Sequence, residues 1–336
     1  MSGRLAYGWQ HFDQERARAI KNGSPLGLKR GPGGGLHCPL RDHEPHYLPW
    51  RGGDPWNGTE KHGNPRLSFR STGTFILEDP LDNVIVDAEL IAGAIRREWG
   101  KADTRRFGWE RSEDAVSWNV FRSLQRAGLL PWLVQRLVRA PNTSPVLSLW
   151  GTEIWRDRVF PWQALADVRA QVEPGYGIPT EPDAGLHVPG WGDILIEAKF
   201  GSGMSRRKNQ RALEAFAVHY AKAAPCLLDP AKIVAAGHLR APEQLLRNLT
   251  YACKLAERSG LRAHVVALVR EGEAEDIEER VADCLVNPSE PAVTFSRLTW
   301  ESIYAGLDQS NPDVGGLVTF FQQKSLYLSP AFAIAR

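Results

Sequence analysis

The stretch that decides the fold lies at residues 181–200 and reads EPDAGLHVPGWGDILIEAKF. Two β-prone segments, 181–188 and 193–200, flank Pro189 and Gly190, two residue types that favour tight turns. We therefore predict two antiparallel strands that form a hairpin about Gly190.

This hairpin brings two acidic side chains together. With the turn centred on Gly190, Asp183 lies opposite Glu197, with their Cβ atoms about 5 Å apart. Lys199 follows two residues later and points to the same face of the strand. Two carboxylates this close repel each other unless a proton or a cation lies between them. The pattern predicts a divalent-cation site with a water beside it, whereas a slip of one residue in register would turn a side chain to the other face.

Asp193 is the competing acid on the second strand. It shares a face with Glu197 but lies four residues away, which is roughly 13 Å along an extended strand. Carboxylates that share one metal ion approach far closer than this. We therefore assign Asp193 to the hairpin turn and keep Asp183 as the predicted ligand.

A third acidic residue is expected from a helix predicted at 112–127, with Ser112 as its N-cap. Glu113 lies three residues before the start of an apolar stripe and leans toward the sheet. It is a candidate metal ligand, with Glu110 as the substitute; alternatively, Glu113 only complements the helix dipole. The stripe consists of Val116, Val120, Leu124 and Ala127.

The order of predicted elements indicates a mixed α/β or α+β domain. After the helix at 112–127 come strands at 146–155, 181–188 and 193–200, helices at 205–223 and 242–257, and a strand at 263–269. A hairpin at 67–77 and a helix at 81–99 precede this order, and one or two short helices follow residue 299. We divide the chain into a Gly/Pro/Trp-rich accessory or specificity region (1–105), a core (106–275) and a C-terminal helical extension (276–336).

Pro182-Asp183, thirteen intervening residues and Glu197-Ala198-Lys199 resemble the PD-(D/E)xK signature of the restriction-endonuclease-like nuclease superfamily. The element order from about 110 to 270 also resembles the αβββαβ core of that superfamily, in which a mixed central sheet is flanked by helices. The segment is similar to unclassified bacterial members.

The resemblance implies hydrolysis of phosphodiester bonds with Mg²⁺ or Mn²⁺. Asp183 and Glu197 would then be metal ligands, together with the Ala198 carbonyl and an acid such as Glu113. Lys199 would orient or help to deprotonate the attacking water. Because an ammonium beside two carboxylates stays charged, we expect Lys199 to position the water and stabilise the transition state rather than to act as a free base.

A basic run follows the second strand directly. It contains Arg206, Arg207, Lys208 and Arg211 and no acidic residue. Cations at a helix N-terminus oppose the helix dipole, so helix stability does not explain this run. Contact with a phosphate backbone explains it better. The alternative is a basic helix face that is exposed only to solvent. Further polar contacts are predicted at Gln244, Arg247 and Asn248. We expect DNA rather than RNA as the partner.

The overall composition limits the class of protein. The chain has 336 residues, with 41 Lys and Arg against 39 Asp and Glu, so its formal net charge is only +2. This near-neutrality excludes a polybasic protein that binds nucleic acid through bulk charge, but a local basic groove remains compatible with it. The sequence therefore favours a nuclease that binds DNA through a groove, and a homodimer or a protein partner is compatible with this.

The cysteines and the apolar segments indicate a cytoplasmic protein with no membrane partner. No two of the four cysteines are close in sequence, which disfavours a disulfide framework or a CxxC zinc site. No apolar stretch is long enough for a membrane helix. A zinc-stabilised N-terminal module is an alternative reading of His37, Cys38, His43 and His46, although their spacing matches no common zinc site. A second alternative is a catalytically inactive nuclease-fold module that binds nucleic acid or a protein.

Overall fold

A computed structural model describes 36–37, 47–48, 67–70, 74–77, 80–91, 107, 112–156, 158–174, 181–200, 209–286, 292–307, 312–323, 325–326 and 329–330. The chain divides into two units, one drawn from Met1–Ser123 and Leu307–Arg336 and the other formed by Leu124–Gly306.

The second unit is built on a seven-stranded mixed sheet. Its strands are β5 (Val146–Leu149), β6 (Thr152–Trp155), β7 (Arg158–Pro161), β8 (Ala184–Val188), β9 (Gly192–Ala198), β10 (Arg262–Val269) and β11 (Val293–Thr299). Their order in the sheet is β11-β10-β9-β8-β5-β6-β7. Strands β9, β10 and β11 run parallel to one another, while β7, β6, β5, β8 and β9 form an antiparallel series. The chain is therefore α/β with a mixed sheet, as its sequence predicts.

Helices occur in both units of the chain. They are α1 (Glu113–Arg126), α2 (Leu130–Leu137), α3 (Gln163–Val172), α4 (Gln210–Ala223), α5 (Pro230–Ala236), α6 (Glu243–Ser259), α7 (Ile277–Ala282), α8 (Trp300–Ala305) and α9 (Pro312–Gln323). The main buried cluster joins α3, α4 and α6 to one face of β9 and β10, through residues such as Leu195, Leu213 and Leu249. Within the described part of the chain, no helix has the length and apolar character needed to cross a bilayer.

The predicted hairpin is confirmed, including its register. His187 pairs with Asp193 and Ala184 with Ile196, so the ladder is centred on the turn at Pro189 and Gly190. Every residue of β9 is buried. Burial on both faces explains why the strand reads as a nearly continuous apolar run, in which a charged residue needs a specific partner.

Two sequence predictions about strands were wrong. The segment 146–155 is not one strand but the β5–β6 hairpin, because Trp150 and Gly151 both adopt positive φ angles and reverse the chain. Strand β7 and helix α3 then separate this hairpin from β8. Strand β11 was not predicted, and it lies within 276–336, the region assigned to a helical extension.

The smaller elements of the first unit include two that were predicted. The hairpin at 67–77 is present as β3 (Leu67–Arg70) and β4 (Thr74–Leu77). The helix predicted at 81–99 is present only in part. Its start is replaced by the 3-10 turn Pro80–Asn83, and residues 88–91 are helical. Residues 92–99 lie outside the described part of the chain. Short strand pairs are formed by β1 (Leu36–His37) with β2 (Tyr47–Leu48), and by β12 (Ser325–Leu326) with β13 (Ser329–Pro330).

The first strand residue after the hairpin turn must be glycine. Gly192 has a φ of +135°, and a Cβ added there would lie 1.8 Å from the Arg262 carbonyl oxygen in β10. We expect Gly192→Ala to lower the free energy of unfolding by about 3 kcal/mol or more, because strain and a backbone clash add together. Gly190→Ala is the matched control, since Gly190 also has positive φ but has no atom within 4 Å of an added Cβ; about 1 kcal/mol is expected there. Urea denaturation of both variants measures the difference, and equal losses would contradict this account.

His264 in β10 makes stability depend on pH. Burial lowers the pKa of His264 to about 4, and its ring nitrogens bond the hydroxyls of Thr294 and Ser296 at 2.7 and 2.8 Å. The unfolded pKa is about 6.5, so this contribution to stability is complete above pH 6.5 and is lost as the pH falls toward 4, by at most about 3 kcal/mol. We expect His264→Gln to flatten the stability profile between pH 6.5 and 4 in urea titrations. An unchanged profile would contradict the assignment.

Candidate active site

The polar cluster predicted at the open end of the hairpin is present. Lys199 Nζ lies 2.6 Å from Glu197 Oε1 and 3.5 Å from Asp183 Oδ2, so one ammonium bridges the two carboxylates. The same Nζ donates to the Ala198 carbonyl at 3.1 Å, and Asp183 Oδ2 accepts a 2.8 Å bond from the Ala198 amide. The four residues therefore form one compact cluster at the ends of β8 and β9.

Glu197 is the buried centre of this cluster, with only 1% of the residue exposed. Burial, and next the Asp183 carboxylate, raise the pKa of Glu197, while the neighbouring Lys199 and Arg247 cations lower it. A buried carboxylate is stable only when it is fully hydrogen-bonded and paired. Glu197 meets that requirement with three donors, the Lys199 ammonium and two side-chain amides of helix α6.

Helix α6 supplies the remaining donors to Glu197. Gln244 Nε2 donates to Oε1 at 2.6 Å, and Asn248 Nδ2 donates to Oε2 at 3.0 Å. The two amides lie four residues apart and so share one face of the helix. Their buried oxygens, Gln244 Oε1 and Asn248 Oδ1, have no hydrogen-bond partner, and neither has the buried Nε of Arg247 between them. The side of the site formed by helix α6 therefore contains three buried polar atoms that make no hydrogen bond within the protein.

The backbone around Lys199 is fixed from two sides. Its amide donates to the Leu268 carbonyl in β10 at 2.8 Å, and its carbonyl accepts a 2.9 Å bond from the Trp300 indole. Trp300 is completely buried at the start of α8. These bonds hold the strand end rigidly, which is what a precisely positioned charged group requires.

The donor set fits a hard divalent cation. Mg²⁺ and Mn²⁺ prefer carboxylate and carbonyl oxygens, and the three predicted donors Asp183, Glu197 and the Ala198 carbonyl all face the same Lys199 ammonium. The Lys199 ammonium already lies among these oxygens, so their arrangement can surround one positive charge. Asp183 is partly accessible, with 19% of its side chain exposed, so the site opens toward solvent on that side.

Glu113 is the first residue of α1, and the predicted N-cap is confirmed by a 3.2 Å bond from the Ala115 amide to Ser112 Oγ. Three residues of the predicted stripe, Val116, Val120 and Leu124, are fully buried, and Ala127 is half-buried. Glu113 belongs to the unit drawn from Met1–Ser123 and Leu307–Arg336, whereas Asp183 belongs to the other. Its metal role therefore stays a prediction, and Glu110 lies outside the described residues.

The helix after β9 starts later than predicted. Helix α4 begins at Gln210 rather than near 205, because the Asn209 side chain caps it by accepting a 3.0 Å bond from the Ala212 amide. Arg211 is exposed in its first turn. Arg206, Arg207 and Lys208 precede the helix and lie outside the described residues, so their predicted DNA contacts stay predictions.

Asp193 does not terminate the turn, which corrects the sequence assignment. It lies within β9, is 5% exposed and bonds His187 Nδ1 on β8 at 2.7 Å. That hydrogen bond raises the pKa of His187. Its pairing with His187 explains why an acidic residue occurs in this otherwise apolar strand. Asp193 takes no part in the Glu197 cluster.

Comparison of the chain with protein-family models, with curated proteins and with solved structures finds no match in any of the three.

Proposed function

We propose that the protein is a divalent-cation-dependent nuclease that hydrolyses phosphodiester bonds in DNA. The observation that carries the proposal is the convergence of Asp183, Glu197 and the Ala198 carbonyl on the Lys199 ammonium, which places three oxygen donors around one positive charge. Helix α1, strands β5, β8 and β9, helix α6 and strand β10 follow one another in the order helix, three strands, helix, strand, with insertions. This order supports the αβββαβ resemblance.

Each residue has a distinct role in the proposed reaction. Asp183, Glu197 and the Ala198 carbonyl would hold Mg²⁺ or Mn²⁺, which when bound lowers the pKa of a water ligand and offsets negative charge on the phosphate. Lys199 stays protonated beside the carboxylates, orients the attacking water and stabilises charge on the scissile phosphate. Gln244 and Asn248 fix both oxygens of Glu197 and so hold its carboxylate in one orientation.

Cations outside the cluster support a polyanionic substrate. Arg247 lies close enough to lower the pKa of Glu197, and its buried Nε has no hydrogen-bond partner. The exposed Arg211 and the sequence-adjacent Arg206, Arg207 and Lys208 add positive charge to the segment that follows β9. We assign phosphate contacts to these residues, because such contacts position a duplex without reading its sequence.

Incubation with plasmid DNA, linear DNA and RNA in Mg²⁺, Mn²⁺ or a chelator tests the proposal. We expect cleavage of DNA only with a divalent cation, and its loss in Glu197→Ala and Lys199→Ala. Cleavage that persists undiminished in both variants, or that survives chelation, would remove the cluster from the reaction. Circular dichroism of each variant separates loss of chemistry from loss of fold.

One observation favours a second candidate, a catalytically inactive module that binds DNA or a protein. The Lys199 ammonium already bridges both carboxylates, and both oxygens of Glu197 accept hydrogen bonds from other side chains. Salt-sensitive DNA binding without cleavage in any divalent cation is expected for this candidate. Binding unchanged in Glu197→Gln would support it, whereas cation-dependent cleavage would exclude it.

A further inference from the structure

Two cysteines that are far apart in the sequence meet a glutamate on the surface of the second unit. Cys226 lies in the turn between α4 and α5 and is exposed, while Cys253 and Glu257 lie one turn apart on α6. Cys226 Sγ is 3.9 Å from Cys253 Sγ, and Cys253 Sγ is 3.4 Å from Glu257 Oε1. The three ligand atoms all lie within 4.8 Å of one another.

The two distances to Cys253 Sγ match tetrahedral zinc coordination. Zn–S bonds of about 2.3 Å and a Zn–O bond of about 2.0 Å place two sulfurs about 3.8 Å apart, and a sulfur and an oxygen about 3.5 Å apart. A disulfide would need the sulfur atoms to approach to about 2.05 Å. The S–S distance of 3.9 Å and the S–O distance of 3.4 Å therefore fit two sulfurs and one oxygen around a zinc ion, and the S–S distance is too long for a disulfide bond.

The carboxylate is oriented for such a role. Glu257 Oε2 accepts a 2.6 Å bond from Lys254 Nζ, which leaves Oε1 directed at Cys253. A partner on the far oxygen fixes a ligating carboxylate in the same way in known metal centres. Lys254 also offsets the single negative charge that two thiolates and one carboxylate leave around Zn²⁺.

We propose that Cys226, Cys253 and Glu257 bind a zinc ion, with water in the fourth position. Each thiol gives up its proton on binding, because the thiolate is the ligand. The ion ties the α4–α5 turn to α6, the helix whose first turns hold Glu197. The site is independent of the proposed nuclease chemistry, since it uses none of the residues assigned to it.

Metal loading of the full-length reduced protein tests this site. After chelator treatment, we expect the chain to take up Zn²⁺ with these three ligands, and Co²⁺ to give a thiolate charge-transfer band. Cys226→Ser should weaken zinc affinity about 100-fold and reduce the intensity of the band about twofold at saturating Co²⁺, because only the Cys253 thiolate remains. Cys226 was chosen because it is exposed and its substitution leaves the buried core untouched.

Cys38→Ser is the comparison variant, because it removes a thiol elsewhere in the chain. The assignment is supported if Cys38→Ser keeps the zinc affinity and the cobalt band of the wild type. It also requires that the zinc-induced rise in Tm of the wild type is absent from Cys226→Ser. Equal zinc affinity in wild type and Cys226→Ser, or a cobalt complex without the thiolate band, would overturn it. Zinc uptake retained in Glu197→Gln separates this site from the proposed active site.

Discussion

Asp183→Asn is expected to slow Mn²⁺-supported DNA cleavage at least roughly 10³-fold while leaving the fold intact. The substitution removes a negative charge from the predicted metal ligand. It keeps an oxygen that can still accept the 2.8 Å bond from the Ala198 amide. Because Asp183 is partly exposed, we expect the free energy of unfolding to change by no more than about 1 kcal/mol. Initial cleavage rates and urea denaturation measure the two quantities separately.

Asp193→Asn is the matched control for this experiment. Asp193 belongs to the same hairpin and is more buried than Asp183, but its partner is His187 and not the Glu197 cluster. We expect its cleavage rate to stay within about twofold of wild type. Equal losses of rate in the two variants would show that the hairpin matters only for folding and would remove Asp183 from the reaction.

Lys199→Met is expected to lower the free energy of unfolding by about 3–5 kcal/mol, because it leaves a buried carboxylate without its cation. Lys199 and Glu197 are only 4% and 2% exposed at their side chains, so solvent cannot replace the lost partner. Burial raises the pKa of Glu197, and without Lys199 this effect is stronger. Relative to wild type, the stability lost in the variant should therefore be smallest at acidic pH and should grow as the pH rises through the folded-state pKa of Glu197.

The double variant Glu197→Gln/Lys199→Met isolates this cause. With both charges removed, no unpaired ion remains buried, so the double variant should be more stable than Lys199→Met alone. Mn²⁺ should restore part of the stability of Lys199→Met but not of the double variant. A double variant less stable than Lys199→Met, with no response of either protein to Mn²⁺, would contradict the charge arrangement.

The hairpin register was predictable because its determinants are local. Pro189 and Gly190 fix the turn, and the antiparallel pleat then sets which residues face each other, so Asp183 and Glu197 could be brought together from the sequence. The reversal at Trp150 and Gly151 was missed because no proline or asparagine marks it. Strand β11 was missed because its residues are mostly half-buried and carry no continuous apolar run.

Contacts between distant segments set the limit of sequence reasoning at the site. Gln244 and Asn248 could be noted as polar residues on one helix face, but their bonds to Glu197 depend on how α6 packs against β9. Cys226 and Cys253 are 27 residues apart, and nothing local links them. Sequence spacing was enough to bring together the residues of one hairpin. The partners that other segments contribute to the site depend on tertiary packing.

The most direct measurement is the initial rate of plasmid cleavage as Mn²⁺ is titrated into the chelator-treated wild-type protein. We expect no cleavage before Mn²⁺ is added, a rate that rises to saturation with Mn²⁺, and no such rise for Asp183→Asn. Cleavage at full rate without Mn²⁺, or the absence of cleavage by folded protein at any Mn²⁺ concentration, would contradict a divalent-cation nuclease built on Asp183, Glu197 and Lys199.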